Sequence, residues 1–226
     1  MSTIAENIAE FKTELASVCR DCDRNPSEIS IVAVTKNRSS AEINSLLASG
    51  ITAIGENRLQ EFLAKKAEIG AAEKHFVGRI QSNKAAEIAR EFDVVESVSS
   101  LKIAKILNDS IISRDVARNV STTSHKTLPI FLQINLAREP QKDGFSPEEI
   151  ESALSEISKF ANLEVVGLMT IGVFGDTKRT REIFAAGKKL CEKFGLPKFS
   201  AGMSDDWPIA VECGATELRI GRLLFE

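Results

Sequence analysis

A lysine directly follows a short apolar run near the start of the chain. Lys36 ends residues 29–36 (ISIVAVTK), whose β-branched composition is typical of a strand buried on both faces. A lysine at the end of such a strand should be partly buried, and burial favours the uncharged amine over the ammonium ion. A free amine can attack a carbonyl carbon to form a Schiff base. A lysine that simply extends into solvent fits the same position equally well.

Near the end of the chain, a second group of residues could bind an anion. Ser204 follows one predicted strand, and Arg219, Gly221 and Arg222 lie where the next predicted strand ends. A serine hydroxyl can donate to a phosphate oxygen, and glycine permits close approach of the backbone. The two aspartates that follow Ser204 would repel a dianion unless they point outward. A plain helix cap is therefore the alternative role for this serine.

Alternating strand and helix patterns along the chain suggest how these distant residues could meet. Such alternation predicts parallel strands with right-handed crossovers. We therefore expect an α/β fold, a single (β/α)8 TIM-like barrel with an additional N-terminal helix, as one domain over residues 1–226. The eight predicted strands are 29–36, 52–55, 74–77, 94–98, 128–135, 163–171, 198–201 and 216–221.

The N-terminal helix is predicted from apolar residues that recur every three or four positions over residues 4–18. It should cover the part of the barrel where a full eighth helix would lie, because few residues follow the last predicted strand. Further helices are predicted over 146–160 and 181–194, and loops over 119–127 and 137–145. The alternative fold is an open doubly wound sheet. That fold usually has a glycine-rich loop after its first strand, which is absent here.

In a closed barrel, the two groups of residues share one mouth. The first and eighth strands are neighbours, and the functional loops follow the carboxyl ends of the strands. A ligand with an aldehyde at one end and a phosphate at the other could then bind Lys36 and the last two loops together. Pyridoxal phosphate is such a molecule.

Several motifs in the same order resemble the pyridoxal phosphate homeostasis protein family. The resemblance spans nearly the whole chain and implies a barrel like the N-terminal domain of alanine racemase. Family members are mostly described as carriers or regulators of vitamin B6, without a firmly established reaction. The matching segments are VAVTK (32–36), GEN (55–57), HFVG (75–78), QSNK (81–84), GLMT (167–170), GMSDD (202–206) and RIG (219–221).

The resemblance implies a set of residues that contact pyridoxal 5'-phosphate. The lysine would carry the cofactor as a Schiff base, and the serine, the glycine and the last arginine's backbone would hold the phosphate. The other arginine would lie near the pyridine nitrogen, and the asparagine would line the pocket. These six residues are Lys36, Asn57, Ser204, Arg219, Gly221 and Arg222.

The chain departs from the family pattern at the rim of the expected pocket. Arg79 stands where many members have histidine, and Arg58 where an aromatic residue is common. The first strand continues as Asn-Arg-Ser at 37–39 rather than the frequent Thr-Lys-Pro.

The main alternative to a carrier is a pyridoxal-phosphate-dependent racemase or related enzyme. Racemisation needs a proton removed from one face of the substrate and delivered to the other. Relatives with this fold use a lysine and a tyrosine from a second domain, whereas this chain contains no tyrosine. We therefore expect a carrier with no catalytic residue. A phosphosugar-type barrel enzyme ranks last, because Glu56 is the only strong acid–base candidate at the mouth.

Composition limits the other classes of function. The 226 residues carry 29 Lys+Arg against 32 Asp+Glu, a net charge of −3, which argues against nucleic-acid binding. Neither a signal peptide nor an apolar run long enough to cross a membrane is found, so we expect a cytoplasmic protein. His75 and His125 have no second ligand at metal spacing, so no metal site is predicted. We expect a monomer, with apo enzymes that need the cofactor as candidate partners.

Overall fold

The computed structural model of the protein describes residues 3–117, 127–139 and 143–226. In it, eight parallel strands pair in chain order and β8 returns to pair with β1, which closes the barrel. The predicted fold class is therefore confirmed. The strands are β1 (Ser30–Val34), β2 (Ala53–Glu56), β3 (Glu73–Phe76), β4 (Val94–Val98), β5 (Leu128–Gln133), β6 (Leu163–Met169), β7 (Lys198–Ser200) and β8 (Glu217–Ile220).

Helices surround this barrel and connect its strands. The segment predicted over 146–160 begins with a capping box at Ser146 and Glu149 and a 3-10 turn at Pro147–Glu149. The helices are α1 (Ile4–Asp21), α2 (Ser40–Ala48), α3 (Leu59–Lys65), α4 (Ser82–Glu91), α5 (Leu101–Ala117), α6 (Ile150–Ile157), α7 (Thr177–Lys193), α8 (Trp207–Glu212) and α9 (Arg222–Phe225). Two further 3-10 turns lie at Pro26–Glu28 and Lys66–Glu68.

The N-terminal helix covers the part of the barrel's outer wall that the short α9 leaves uncovered. It packs against α8 and α9, with the rings of Phe11 and Trp207 meeting edge to face at 5.0 Å between centroids. This arrangement confirms the predicted role of α1. Of the predicted loops, residues 119–126 and 140–142 lie outside the described part of the chain.

The strands separate two cores, because successive side chains of a strand point to opposite faces. The larger core lies between the strands and the helices. A smaller apolar cluster of Val94, Phe131 and Met169 stands apart from it, inside the barrel. Charged side chains occupy much of the remaining interior, which is unusual for a barrel that branched apolar residues commonly fill.

Candidate functional site at the barrel mouth

The turn after β1 places Lys36 at the carboxyl end of the barrel. The strand ends at Val34, two residues earlier than predicted, and the Lys36 side chain is exposed. The expectation that this lysine is partly buried is therefore wrong. Strand pairing sets Val34 beside Gly55, so Lys36 and Asn57, each two residues further on, follow neighbouring strands at the same level.

A buried ion pair holds this turn in place. The Lys65 ammonium lies 2.6 Å from Glu56 Oε1 and donates to the backbone oxygens of Thr35 at 2.8 Å and Arg38 at 3.2 Å. The Thr35 hydroxyl donates to the same carboxylate. Burial raises the pKa of Glu56, although the hydrogen bonds from Lys65 and Thr35 oppose that rise. Glu56, which lines no open part of the mouth, therefore anchors the turn that carries Lys36.

Asn57 offers an unsatisfied acceptor at the same end of the barrel. Its Oδ1 atom is buried and has no hydrogen-bond partner among the described residues. The backbone of this residue also approaches Gly78, where a Cβ atom would lie 2.1 Å from the Asn57 carbonyl oxygen. Only glycine fits there. A buried acceptor without a donor is costly in a protein and fits a position that a ligand completes.

The last two loops bring two polar groups together beside β1. The Gly221 N–H donates to Ser204 Oγ at 3.4 Å, a long hydrogen bond that leaves the N–H available to a better acceptor. A Cβ atom at Gly221 would lie 3.7 Å from the carbonyl oxygen of Val34, two residues before Lys36. The lysine and the two phosphate-binding candidates thus share one side of the mouth.

Each of the two aspartates after Ser204 has a partner of its own. Asp205 forms an ion pair with the Arg222 side chain. Asp206 occupies the N-cap position of α8, which begins only at Trp207, but its side chain accepts from the Met203 N–H at 2.6 Å and not from the helix. Burial raises the pKa of Asp206. The aspartates therefore precede the helix, and Asp206 rather than Ser204 holds its N-cap position.

Arg219 lies inside the barrel, directly below the mouth. It is 4% exposed, and it donates to Ser200 Oγ at 2.5 Å and to the Thr170 carbonyl oxygen at 2.9 Å. Arg219 is on β8, and Gly221 comes two residues later, just after the strand ends at Ile220.

Below Arg219, the barrel contains a buried cluster that the sequence analysis missed. His75 Nδ1 lies 2.8 Å from Glu96 Oε1 and 3.8 Å from Glu217 Oε1. Burial acts to lower the pKa of His75, but hydrogen bonds to Glu73 and Glu96 outweigh it and raise that pKa to about 10. Burial and the nearby Glu96 charge raise the pKa of Glu217 to about 8. The signal in the sequence was a glutamate inside the apolar run of β4.

This cluster also has the ligand types of a metal site. The ligand atoms of His75, Glu96 and Glu217 all lie within 4.8 Å of one another. The three residues come from three different strands, so their spacing along the chain gave no indication that they would form a cluster. The Arg219 guanidinium lies 3.9 Å from Glu96, so a cation from the protein itself already faces this carboxylate. Ion pairs and hydrogen bonds among these side chains explain why the ligand-type atoms lie so close together. His125 lies outside the described residues.

Both arginines that depart from the family pattern line a cleft beside the mouth. The cleft has a volume of about 710 Å³, and Asn37, Asn57 and Lys84 also line it. Arg79 pairs with Asp143 at 2.6 Å. Arg58 and Arg79 therefore change the lining of this cleft, and Lys36, Ser204 and Gly221 are not among the residues that line it.

The donor set at the mouth fits pyridoxal phosphate. An exposed primary amine suits an aldehyde, and a hydroxyl with a weakly bonded N–H suits a phosphate. The guanidinium below them and the unpaired Asn57 acceptor suit a polar aromatic ring. This combination defines a cofactor-binding barrel.

Comparison with known proteins agrees with this class. Residues 6–226 match the family model described as alanine racemase, N-terminal domain. The chain is 36% identical to the pyridoxal phosphate homeostasis protein of Pseudomonas aeruginosa, over 100% of this chain and 96% of that protein. The chain belongs to the pyridoxal phosphate homeostasis protein family.

Solved structures show the same fold. PipY of Synechococcus elongatus with PLP bound is 30% identical, has a TM-score of 0.82, and is matched over 99% of this chain and 100% of PipY. Alanine racemase from Corynebacterium glutamicum is 18% identical with a TM-score of 0.67, and the match covers 98% of this chain but 59% of that enzyme. The second likeness concerns the fold alone.

Proposed function

We propose that the protein binds pyridoxal 5'-phosphate and serves its homeostasis in the cell as a carrier or regulator. One observation carries this proposal: Lys36 follows β1, Ser204 follows β7 and Gly221 follows β8, so the loops after three successive strands of the closed barrel place these residues at one mouth. The name of the P. aeruginosa relative and the PLP bound to PipY support it.

Each site residue has a separate role in this proposal. When bound, the cofactor supplies an electrophilic aldehyde on an electron-withdrawing ring. Lys36 would hold the cofactor through its amine, which suits the aldehyde. The Ser204 hydroxyl and the backbone N–H groups of Gly221 and Arg222 would hold the phosphate. Arg219 would face the ring nitrogen, and Asn57 would line the pocket.

The proposal also covers the domain organisation, the oligomeric state and the location of the protein. Residues 1–226 act as one domain, and the protein works as a cytoplasmic monomer that delivers the cofactor to apo enzymes. No helix of the described residues is long and apolar enough to cross a membrane. The absence of tyrosine from the sequence favours a carrier over a racemase, because a two-face proton transfer lacks its usual second acid.

The test is chemical trapping of the cofactor on Lys36. Protein mixed with pyridoxal phosphate is reduced with borohydride, digested and analysed by mass spectrometry. The mass of one reduced cofactor should appear on the peptide that contains Lys36. Lys36→Ala should abolish this labelling, whereas Lys189→Ala, which removes an exposed lysine of α7, should leave it unchanged. Full labelling of the Lys36→Ala protein at another site would refute the assignment.

A further inference from the structure

Inside the barrel, Arg219 is held by more hydrogen bonds than a simple contact with a ligand at the mouth would require. Arg219 alone could face the ring nitrogen of a cofactor, yet it is tied to three other strands of the barrel. Its partners are Ser200 on β7, Thr170 just after β6 and, through Ser200, Glu96 on β4. All of these partners are buried, at 0–1% exposure.

We propose that Glu96 and Ser200 are positioning residues, which hold the Arg219 guanidinium toward the pyridine nitrogen of bound pyridoxal phosphate. The inference rests on the proposed function. The inference adds to the proposed function the residues that determine recognition of the pyridine ring. Recognition of the aldehyde and of the phosphate is left to other residues.

The direction of the hydrogen bonds supports this role. The Ser200 hydroxyl donates its single hydrogen to Glu96 Oε2 at 2.6 Å. Its oxygen is therefore left to accept from Arg219 Nη1 at 2.5 Å. Because a carboxylate only accepts, it fixes the hydroxyl in the orientation that suits a guanidinium donor. All three side chains are at least 96% buried, so water cannot replace a lost partner.

His75 fixes the other end of Glu96. Its Nδ1 atom lies 2.8 Å from Glu96 Oε1, and its Nε2 atom lies 3.3 Å from Glu73 Oε2. Burial acts to raise the pKa of Glu96, but the hydrogen bond and charge of His75 and the charge of Arg219 lower it instead. Glu96 therefore stays a carboxylate with both oxygens engaged, and the chain from His75 to Arg219 has one arrangement.

A guanidinium fixed beside the ring nitrogen has a defined chemical effect. It donates to the nitrogen lone pair and disfavours a proton there, because two positive charges would then face each other. Recognition of the ring should therefore depend on the nitrogen atom itself. A ring analogue in which that nitrogen is replaced by C–H keeps the aldehyde and the phosphate but loses this contact.

The experiment compares the affinities of pyridoxal phosphate and its 1-deaza analogue, measured by direct titration. The native protein should prefer pyridoxal phosphate by about tenfold or more, the effect of one hydrogen bond from a charged donor. Arg219→Ala should abolish the preference. Glu96→Gln and Ser200→Ala should each remove most of the preference for pyridoxal phosphate over its 1-deaza analogue. In the Arg219→Ala background, Glu96→Gln should cause no further change.

Glu217→Gln is the matched control, since it replaces a buried carboxyl of the same cluster that has no bond to Ser200 or Arg219. It should leave the preference intact. Ser200→Ala keeps the test informative if Glu96→Gln does not fold. A preference that survives in Ser200→Ala but disappears in Arg219→Ala would overturn the inference alone. If the native protein bound neither pyridoxal phosphate nor its 1-deaza analogue, the proposed function would be overturned as well.

Discussion

At the scale of single residues, the proposed site assigns the phosphate and the rest of the ligand to different residues. Ser204 and Gly221 belong to two different loops, and the hydrogen bond between them brings the two proposed phosphate donors together. Neither residue is assigned a contact with the ring or the aldehyde. Their replacement should therefore affect one part of the ligand selectively.

Ser204→Ala should weaken the binding of pyridoxal phosphate by roughly tenfold or more, because it removes a hydrogen bond worth about 1.5–3 kcal/mol to a charged group. Unphosphorylated pyridoxal should bind almost as before. Titration of both ligands with the variant and with Ser152→Ala, an exposed serine of α6, checks this. Equal losses for the two ligands would indicate general disruption of the loop instead.

Glu217 should make the fold less stable as pH rises from 4.5 to about 8. Its pKa is about 8 in the folded protein against an ordinary value of 4.5, so the folded state binds its proton more tightly than the unfolded state. The stability it contributes is present below pH 4.5 and is lost as pH rises through about 8. His75 acts in the same direction between pH 6.5 and about 10.

Glu217→Gln should remove part of this sensitivity, because the amide keeps the shape of the protonated carboxyl and does not ionise. The free energy of unfolding, measured with denaturant across pH 4.5 to 8, should fall less steeply in the variant than in the native protein. Glu14→Gln on the exposed face of α1 should leave the slope unchanged. Parallel curves for the native and Glu217→Gln proteins would contradict the prediction.

At the scale of elements, the turn that carries Lys36 depends on a helix that follows the next strand. Lys65 ends α3 and is the cation of the buried pair with Glu56. Lys65→Met should lower the free energy of unfolding by about 3–5 kcal/mol, because it leaves a buried carboxylate without its partner. Lys66→Met breaks only the solvent-exposed pair with Glu91 and should cost about 1 kcal/mol or less.

Denaturation of these two variants, and of Lys65→Met combined with Glu56→Gln, measures the effect. The double variant should recover part of the loss, since no charge remains buried. Similar stabilities for Lys65→Met and Lys66→Met would show that the buried pair does not hold the turn.

The contact between α7 and β7 depends on a small residue inside a helix. A Cβ atom at Gly187 would lie 2.7 Å from the ring of Phe199. Gly187→Ala should therefore destabilise the protein by about 1–3 kcal/mol through overpacking, although alanine favours the helix itself. Adding Phe199→Leu should make room and reduce the penalty in thermal unfolding. If Gly187→Ala raises the melting temperature, the packing at this contact is looser than described.

At the scale of the whole molecule, the proposed site offers the Lys36 amine to the cofactor, and the described residues form no second domain over the mouth of the barrel. Efficient racemisation needs a positioned acid and base on opposite faces, each typically contributing 10²–10⁴-fold. The loaded protein should therefore exchange the α-proton of an amino acid only slowly. Incubation with L- and D-amino acids in deuterated water, followed by mass and chiral analysis, checks this. Turnover that depends on Lys36 at about 1 s⁻¹ or faster would overturn the carrier proposal.

Much of the architecture could be predicted from local patterns. The strands β1, β4, β5 and β6 are mostly apolar runs, and Lys36, Ser204 and Gly221 could be placed at the mouth because each follows a predicted strand. Parallel strands with helical crossovers leave few ways to close the sheet, so the pairing of β1 with β8 followed from the number of strands. The family motifs then indicated the ligand.

The tertiary structure alone decided which charged side chains face one another. Glu56 and Lys65 meet because α3 folds back beside β2, and Lys36 is exposed because β1 ends at Val34. Glu96 and Arg219 lie 123 positions apart (219 − 96), and only closure of the barrel turns both inward toward Ser200. Sequence alone determined the strands and the residues at their ends, because those depend on neighbours along the chain. The partners inside the barrel depend on its closed geometry, which brings together residues from four different strands.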